Sequence, residues 1–200
     1  MKRNQSEMSF ERRAATYDGG YQGQASQRFY SLLLQEVTMV EGMRILDVGC
    51  GTGTVLRAFA DRCPIEGCGI DIAENMVRLA KRKCPEMDIQ RSGCEHTPFA
   101  DHGFDVLIVC MAYHHFSDKP GFAREAARII KPGGHLYIAD GNLPEFLRRV
   151  INGGARLFRI AAEFQNQREI EREFAPYGFA LGGCVADGMA QIVELVREPV

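Results

Sequence analysis

Residues 45–53 read ILDVGCGTG: a short apolar strand closing on Asp47, then Gly49, Gly51 and Gly53, then a helical pattern that starts near Thr54. Glycine lets the backbone turn tightly and lets a ligand approach where any Cβ would collide, so such a strand, loop and helix suit a nucleoside. The dinucleotide fingerprint G-x-G-x-x-G would place its third glycine at position 54, where the chain has Thr54. The loop therefore leans away from nicotinamide cofactors. The next apolar run ends in Gly69-Ile70-Asp71. A carboxylate at the end of a second strand can accept hydrogen bonds from both ribose hydroxyls of an adenosine; a strand-end aspartate that caps the following helix explains the same residue.

Outward from this unit, apolar runs alternate with helical patterns. MRILDV precedes TVLRAFADR, GCGIDI precedes AENMVRLAKRK, FDVLIVCMA precedes PGFAREAARII, and GGHLYIAD precedes a helical stretch from Pro144 towards Phe164. That alternation predicts parallel strands joined by crossover helices. A further short strand over 87–92, MDIQRS, is required by the spacing. Upstream, Phe29, Leu32, Leu33 and Val37 share one face of an entry helix. Beyond Pro176, YGFALGGCVAD and GMAQIVELV are two strand-like runs meeting at Asp187-Gly188, a pair suited to a tight hairpin. Gly153-Gly154 is expected to interrupt the long helix and, with Gly19-Gly20, to serve as a hinge.

The chain has 200 residues, 46% of them hydrophobic, enough for one continuous core, and residues 1–200 are read as a single domain. Its formal charge of −2 gives no global field towards nucleic acid. No apolar run reaches the length that spans a bilayer, and the start MKRNQSEMSFERR lacks the apolar core of a signal peptide, so a cytoplasmic protein without integral membrane association is expected. Seven cysteines without a C-x-x-C pair read as reduced thiols, and the scattered His96, His102 and His135 show no metal-ligand spacing.

The succession ILDVGCGTG, GIDIAENM, GCEHTPFADHGFDVLIVCMAYHHF and ARIIKPGGHLYIAD resembles the class I S-adenosylmethionine-dependent methyltransferases, in particular the type 11 group that includes ubiquinone and menaquinone biosynthesis enzymes. The likeness extends over residues 10 to 140. It implies an α/β fold: a Rossmann-like, seven-stranded, mostly parallel sheet with an antiparallel C-terminal hairpin and helices on both faces. It also implies S-adenosyl-L-methionine as cofactor, S-adenosyl-L-homocysteine as product, and methyl transfer to a small-molecule acceptor by in-line displacement.

Carried onto this sequence, the resemblance places Asp47, Gly49, Cys50, Gly51 and Gly53 beside the amino acid and ribose of the cofactor, Asp71 on the ribose, and Ile72 and Met76 against the adenine. The family's G-D-A-E corresponds to Ser92-Gly93-Cys94-Glu95. Gly93 removes a side-chain contact to the adenine, leaving the Cys94 backbone and Glu95 to read the ring; Glu95 as a solvated loop carboxylate is the alternative. FERRAATYD, residues 10–18, resembles the family's amino-terminal lid, with Tyr17 closing over the methionine part. Residues 1–41 then form the lid and entry helix, and 142–175 an acceptor lid bearing Phe146, Leu147, Val150, Ile151, Leu157, Phe158, Arg148, Arg149, Arg156 and Arg159; a helix with an apolar core face and solvated arginines explains the same residues. Cys110 borders the cofactor. His114 and His115, at the end of the fourth long strand, are candidate general bases, with packing as the competing role. Two other classes stay open: a non-catalytic adenosyl-ligand binder and a nicotinamide-dependent oxidoreductase.

Overall fold

The computed structural model describes residues 5–157 and 162–199. Its strands are β1 Arg44–Val48, β2 Glu66–Asp71, β3 Asp88–Arg91, β4 Phe104–Cys110, β5 Ile130–Gly141, β6 Phe179–Asp187 and β7 Ala190–Arg197. They form one sheet in the order β3-β2-β1-β4-β5-β7-β6. Strands β1 to β5 pair in parallel, whereas β7 runs antiparallel to both β5 and β6. The expected mostly parallel sheet with a reversed carboxy-terminal hairpin is the observed one.

The helices are α1 Gln5–Arg13, α2 Tyr21–Glu36, α3 Thr54–Ala60, α4 Glu74–Lys83, α5 Lys119–Ile129, α6 Glu145–Leu157 and α7 Gln167–Phe174. Side chains of a strand alternate between faces, and the near-continuous apolar runs of β1 and β4 feed two cores. Leu46, Leu107 and Val109 pack with Phe122 and Ala126 of α5 and with Ile170 and Phe174 of α7. Ile45, Val106 and Ile108 pack with Leu33 of α2, Leu56 and Phe59 of α3, and Val77 and Ala80 of α4. The sheet is thus covered on both sides.

Three sequence expectations need correction. The polar start holds a helix, α1, whose few apolar residues gave no periodic signal. The stretch from Pro144 to Phe164 is not one helix: α6 ends at Leu157, residues 162–166 are non-helical, and α7 follows. Only Ile170 and Phe174 of α7 are buried, one turn apart, and its start is fixed by a capping box between Asn166 and Glu169. Phe158 and Arg159 lie outside the described residues, as does the side chain of Arg156.

Nor do Gly153 and Gly154 interrupt α6, which runs through both. A Cβ at either would meet nothing within 4 Å. The helix survives because its inner side is fastened: the Asn152 amide exchanges two hydrogen bonds with the Phe164 backbone at 2.9 and 3.0 Å, and Arg148 pairs with Glu169. Glycine costs about 1 kcal/mol against alanine in a helix interior. Gly153→Ala is therefore expected to raise stability by roughly 0.5–1 kcal/mol, seen as an increase in Tm of about 2–4 °C. A hinge at this position would give a loss instead.

Candidate active site

Strand order reverses between β1 and β4, and in open α/β sheets ligands lodge outside the carboxyl ends of the strands at that point. A cleft of about 780 Å³, its open mouth included, lies there. This is the size of a small-molecule site.

The glycine loop forms its floor. Gly49 has φ +80°, and a Cβ there would sit 2.6 Å from Ala112 Cβ, so only glycine lets the loop pass the end of β4. The Gly49 and Cys50 amides donate to the Ile70 carbonyl at 2.8 and 2.9 Å, and the Gly51 amide donates to Asp71 Oδ2 at 3.0 Å. Asp71 Oδ1 accepts the amide of Ala73, the residue just before α4, at 2.8 Å, while the first helix amides are taken by another residue. A carboxylate offers about four lone-pair sites, so acceptor capacity remains beyond the backbone amides of Gly51, Ala73 and Ile72 that face it. Burial lifts the Asp71 pKa to about 6, against the downward pull of the Ala73 and Gly51 amides. Asp47, only 1% exposed, has an Oδ1 without any hydrogen-bond partner. Burial, then the Asp71 charge, lifts it to about 8.

Ile72, Met76, Gly93, Cys94 and Glu95 line the next wall. A Cβ at Gly93 would lie 2.9 Å from Glu95 Oε2. The Glu95 carboxylate fills the space that a side chain at 93 would need. Burial raises the thiol pKa values of Cys50, Cys94 and Cys110, which keeps them protonated as small apolar groups.

The amino-terminal segment roofs the cleft with Phe10 and Tyr17. Burial raises the Tyr17 phenol pKa, against a hydrogen bond with Ser26 of α2. The roof is tied down at three points. Glu11 accepts the Glu74 and Asn75 amides, both at 2.9 Å, capping α4 from outside its own chain segment. Arg91 at the end of β3 donates to Glu7 at 2.9 Å. Asp18 accepts from Thr52 at 2.6 Å and Lys83 at 2.7 Å, and Lys83 also reaches Thr54 at 2.6 Å. Burial would raise the Asp18 pKa, but the bonds from Lys83 and Thr52 hold it below the usual carboxylate value. Thr54, which spoils the dinucleotide fingerprint, is thus part of a latch.

At the far end, β4 runs into Met111, a non-glycine residue at φ +52°, and a 3-10 turn over Tyr113–His115. His115 lines the cleft and meets the Phe10 ring edge-on at 5.2 Å. His114 lies behind it, 6% exposed, with Nδ1 2.7 Å from Asp140 Oδ1 and its ring stacked on Phe164 at 4.4 Å.

Of the residues anticipated from sequence, Tyr17, Gly49, Gly51, Asp71, Ile72, Met76, Gly93, Cys94, Glu95, Cys110 and His115 line one cleft. Asp47, Cys50, Gly53 and His114 do not. Gly53, at φ +78°, sits against Ala80 of α4, where a Cβ would come within 3.2 Å. Cys50 Sγ lies against Gly69. Met111, Ala112 and Phe116 also line it, within the strand-end stretch 110–116 that position alone marks as bordering cofactor and acceptor. Sequence reasoning missed Phe10 and Ser117 as lining residues, since neither type carries chemistry of its own there.

The sequence matches the family described as a methyltransferase domain over residues 46–138, the span that holds the glycine loop, Asp71 and β4. Over that span the chain resembles S-adenosylmethionine-dependent methyltransferases. It is 31% identical over 121 residues to a demethylmenaquinone methyltransferase of Renibacterium salmoninarum, the match covering 60% of this chain and 51% of that protein. It is 35% identical over 112 residues to a ubiquinone/menaquinone biosynthesis C-methyltransferase of Geotalea daltonii, covering 52% and 48%. The matched part thus spans about half the length of these methyltransferases. Among solved structures, a putative methyltransferase in complex with the Trm112 activator of Haloferax volcanii superposes with TM-score 0.83 at 20% identity, covering 97% of this chain and 98% of that one. A Streptomyces coelicolor geranyl diphosphate C-methyltransferase superposes with TM-score 0.71 at 14% identity, covering 86% and 76%.

The methyltransferase cofactor fits the residues present. The floor admits close approach only because Gly49 lacks a Cβ, and Asp71, on the cleft wall, keeps acceptor capacity. The buried Asp47 carboxyl also has a measurable cost. An unfolded aspartate titrates near its ordinary value of 3.8, whereas folded Asp47 holds its proton to about 8. The folded state therefore binds more protons across that window, and its stability falls as pH rises from about 4 to 8. Asp47→Asn is expected to flatten this decline, so that thermal denaturation without ligand shows a smaller loss of Tm between pH 5 and pH 8 than in the native protein.

Proposed function

We propose that the protein transfers a methyl group from S-adenosylmethionine to a small apolar acceptor. The observation that carries this reading is one continuous cleft with the glycine loop and Asp71 at one end and His115 and Phe116 at the other. The cofactor supplies an already activated methyl group, so alignment and exclusion of water do most of what the protein must do. Asp71 holds the ribose hydroxyls, the loop glycines leave room for the amino acid and ribose, and Ile72 and Met76 flank the adenine. Glu95 and the Cys94 backbone face the ring edge. Tyr17 and Phe10 cover the sulfonium, which favours an aromatic wall.

His115 takes the proton from the acceptor as general base. His114, 4.0 Å from it ring to ring and fixed by Asp140, is a positioning residue for that imidazole. Residues 1–41 act as the cofactor-side cover and 142–175 as the acceptor-side cover of one domain. The names of the relatives, demethylmenaquinone methyltransferase among them, support a small-molecule acceptor. The free thiols support a reducing, cytoplasmic site of action.

S-adenosylmethionine and S-adenosylhomocysteine are each expected to raise Tm, and NADH is not; equal stabilisation by NADH would sink the methyl-transfer reading. Asp71→Asn should weaken S-adenosylhomocysteine binding about tenfold to a hundredfold by calorimetry in a folded protein, because a charged acceptor is worth about 1.5 to 3 kcal/mol. With labelled methyl donor and cell extract, transfer is expected into an organic-soluble small molecule. His115→Ala should lower that turnover by about 10² or more with cofactor affinity unchanged. Cofactor binding with no labelled product from any extract would favour an adenosyl-ligand binder without activity.

A further inference from the structure

Helix α4 is fastened to the roof at both of its ends. At its start the Glu11 carboxylate takes the Glu74 and Asn75 amides, a favourable place for an anion, and the Glu11 carbonyl takes the Asn75 side-chain amide at 3.2 Å. At its last residue the Lys83 ammonium donates to Thr54 at 2.6 Å, to Asp18 at 2.7 Å and to Thr52 at 3.1 Å. An ammonium has three N–H donors, and these three acceptors use them all. Residues 11–18 therefore form a strap drawn from one end of α4 to the other, about 15 Å for a helix of 10 residues.

The two fastenings are unequal. The Glu11 end is backed by Glu7, 5% exposed, which accepts from Arg91. The Asp18 end is half exposed and lies one residue from Tyr17, which lines the cleft. Release of Asp18 would free Tyr17 while α1 stays in place. From the other side, α2 grips the same end: a Cβ at Gly23 would collide with the Tyr17 and Asp18 carbonyl oxygens.

The partners of Lys83 belong to different parts of the site. Asp18 is roof, Thr52 lies in the glycine loop between Gly51 and Gly53, and Thr54 opens α3. Thr52 is 4% exposed and donates its hydroxyl proton to Asp18 at 2.6 Å. Its neighbour Gly51 lines the cleft and bonds Asp71. Lys83 itself does not line the cleft. A lone exposed ion pair contributes little, but here a nearly buried hydroxyl is shared by both charges, so the contacts act as one network.

We propose that Lys83 is a positioning residue for the cofactor. By holding Asp18 against the glycine loop it fixes the gap between Tyr17 and the floor, and so sets how long a bound adenosyl cofactor stays. The inference rests on the methyl-transfer reading of the cleft.

Association and dissociation rates of S-adenosylhomocysteine, measured by surface plasmon resonance on the full chain, test it. Lys83→Met keeps an unbranched stem and loses the charge; dissociation is expected to quicken about fivefold or more, with association changed less than about twofold. Asp18→Asn should act in the same direction, and the double variant should be no faster than the faster single one, since both remove the same clasp. Added potassium chloride should quicken dissociation from the native protein and not from Lys83→Met. Arg57→Met removes a similarly exposed cation, paired with Asp61 and Glu86 beside the same helix, and should release the ligand at the native rate. Each variant should stay folded, with its ligand-free Tm lowered by no more than about 4 °C. Native-like dissociation from Lys83→Met, a loss carried by association, multiplying effects of the two substitutions, or equal acceleration by Arg57→Met would each overturn the proposal. If S-adenosylhomocysteine fails to bind the native protein, the methyl-transfer reading falls and this inference with it.

Discussion

One carboxylate joins the pieces that make the site. Asp71 ends β2, yet its oxygens accept amides from the β1 loop at Gly51 and from the start of α4 at Ala73. Two crossovers are thereby held in register around a charged group that burial would otherwise discourage. The nearby Asp47 sharpens the problem, because two acids in one dry corner repel and one of them, Asp47, keeps its proton through neutral pH. Stability is traded for pre-arranged acceptors, a common arrangement in binding sites.

The same constraint explains what could be read from the residues and what could not. Near-continuous apolar runs exposed β1 and β4 because both faces of the sheet are buried there, while β2 and β5 were placed by the helical patterns that alternate with them. The hairpin was legible from Asp187-Gly188 by its turn chemistry: Gly188, at φ +58°, makes the turn. Helix α1 was not legible. It is held by Glu7 and Glu11 bonding to groups far away in sequence, and such partners leave no local period. Helix α7 showed only two core residues, too few to separate from the charged stretch around them. The glycine pair in α6 misled because glycine lowers helix propensity without abolishing it where the opposite side of the helix is fastened.

For the site, legibility followed chemistry. Gly49, Gly51 and Asp71 announced themselves by type and spacing, and all three border the cleft. Gly53 and Cys50 carried the same signal but serve packing, since a backbone motif does not say which side of it faces the ligand. The partnership of His114 with Asp140 spans 26 residues, and that of Thr54 with Lys83 spans 29. Neither follows from any motif; both arise because the strand ends are brought together by the sheet order.

The ties that hold the roof reach far ahead in the chain. Glu11, Asp18 and Glu7 find their partners 64, 65 and 84 residues later, at Asn75, Lys83 and Arg91. During synthesis α1 emerges ahead of its partners and has nothing to grip until β2, α4 and β3 have been made. Closing such loops costs chain entropy that grows only slowly with length, so the delay is one of order and not of feasibility. The covering helix can therefore take its place only after the strands and helix that hold it exist, although it is made before them.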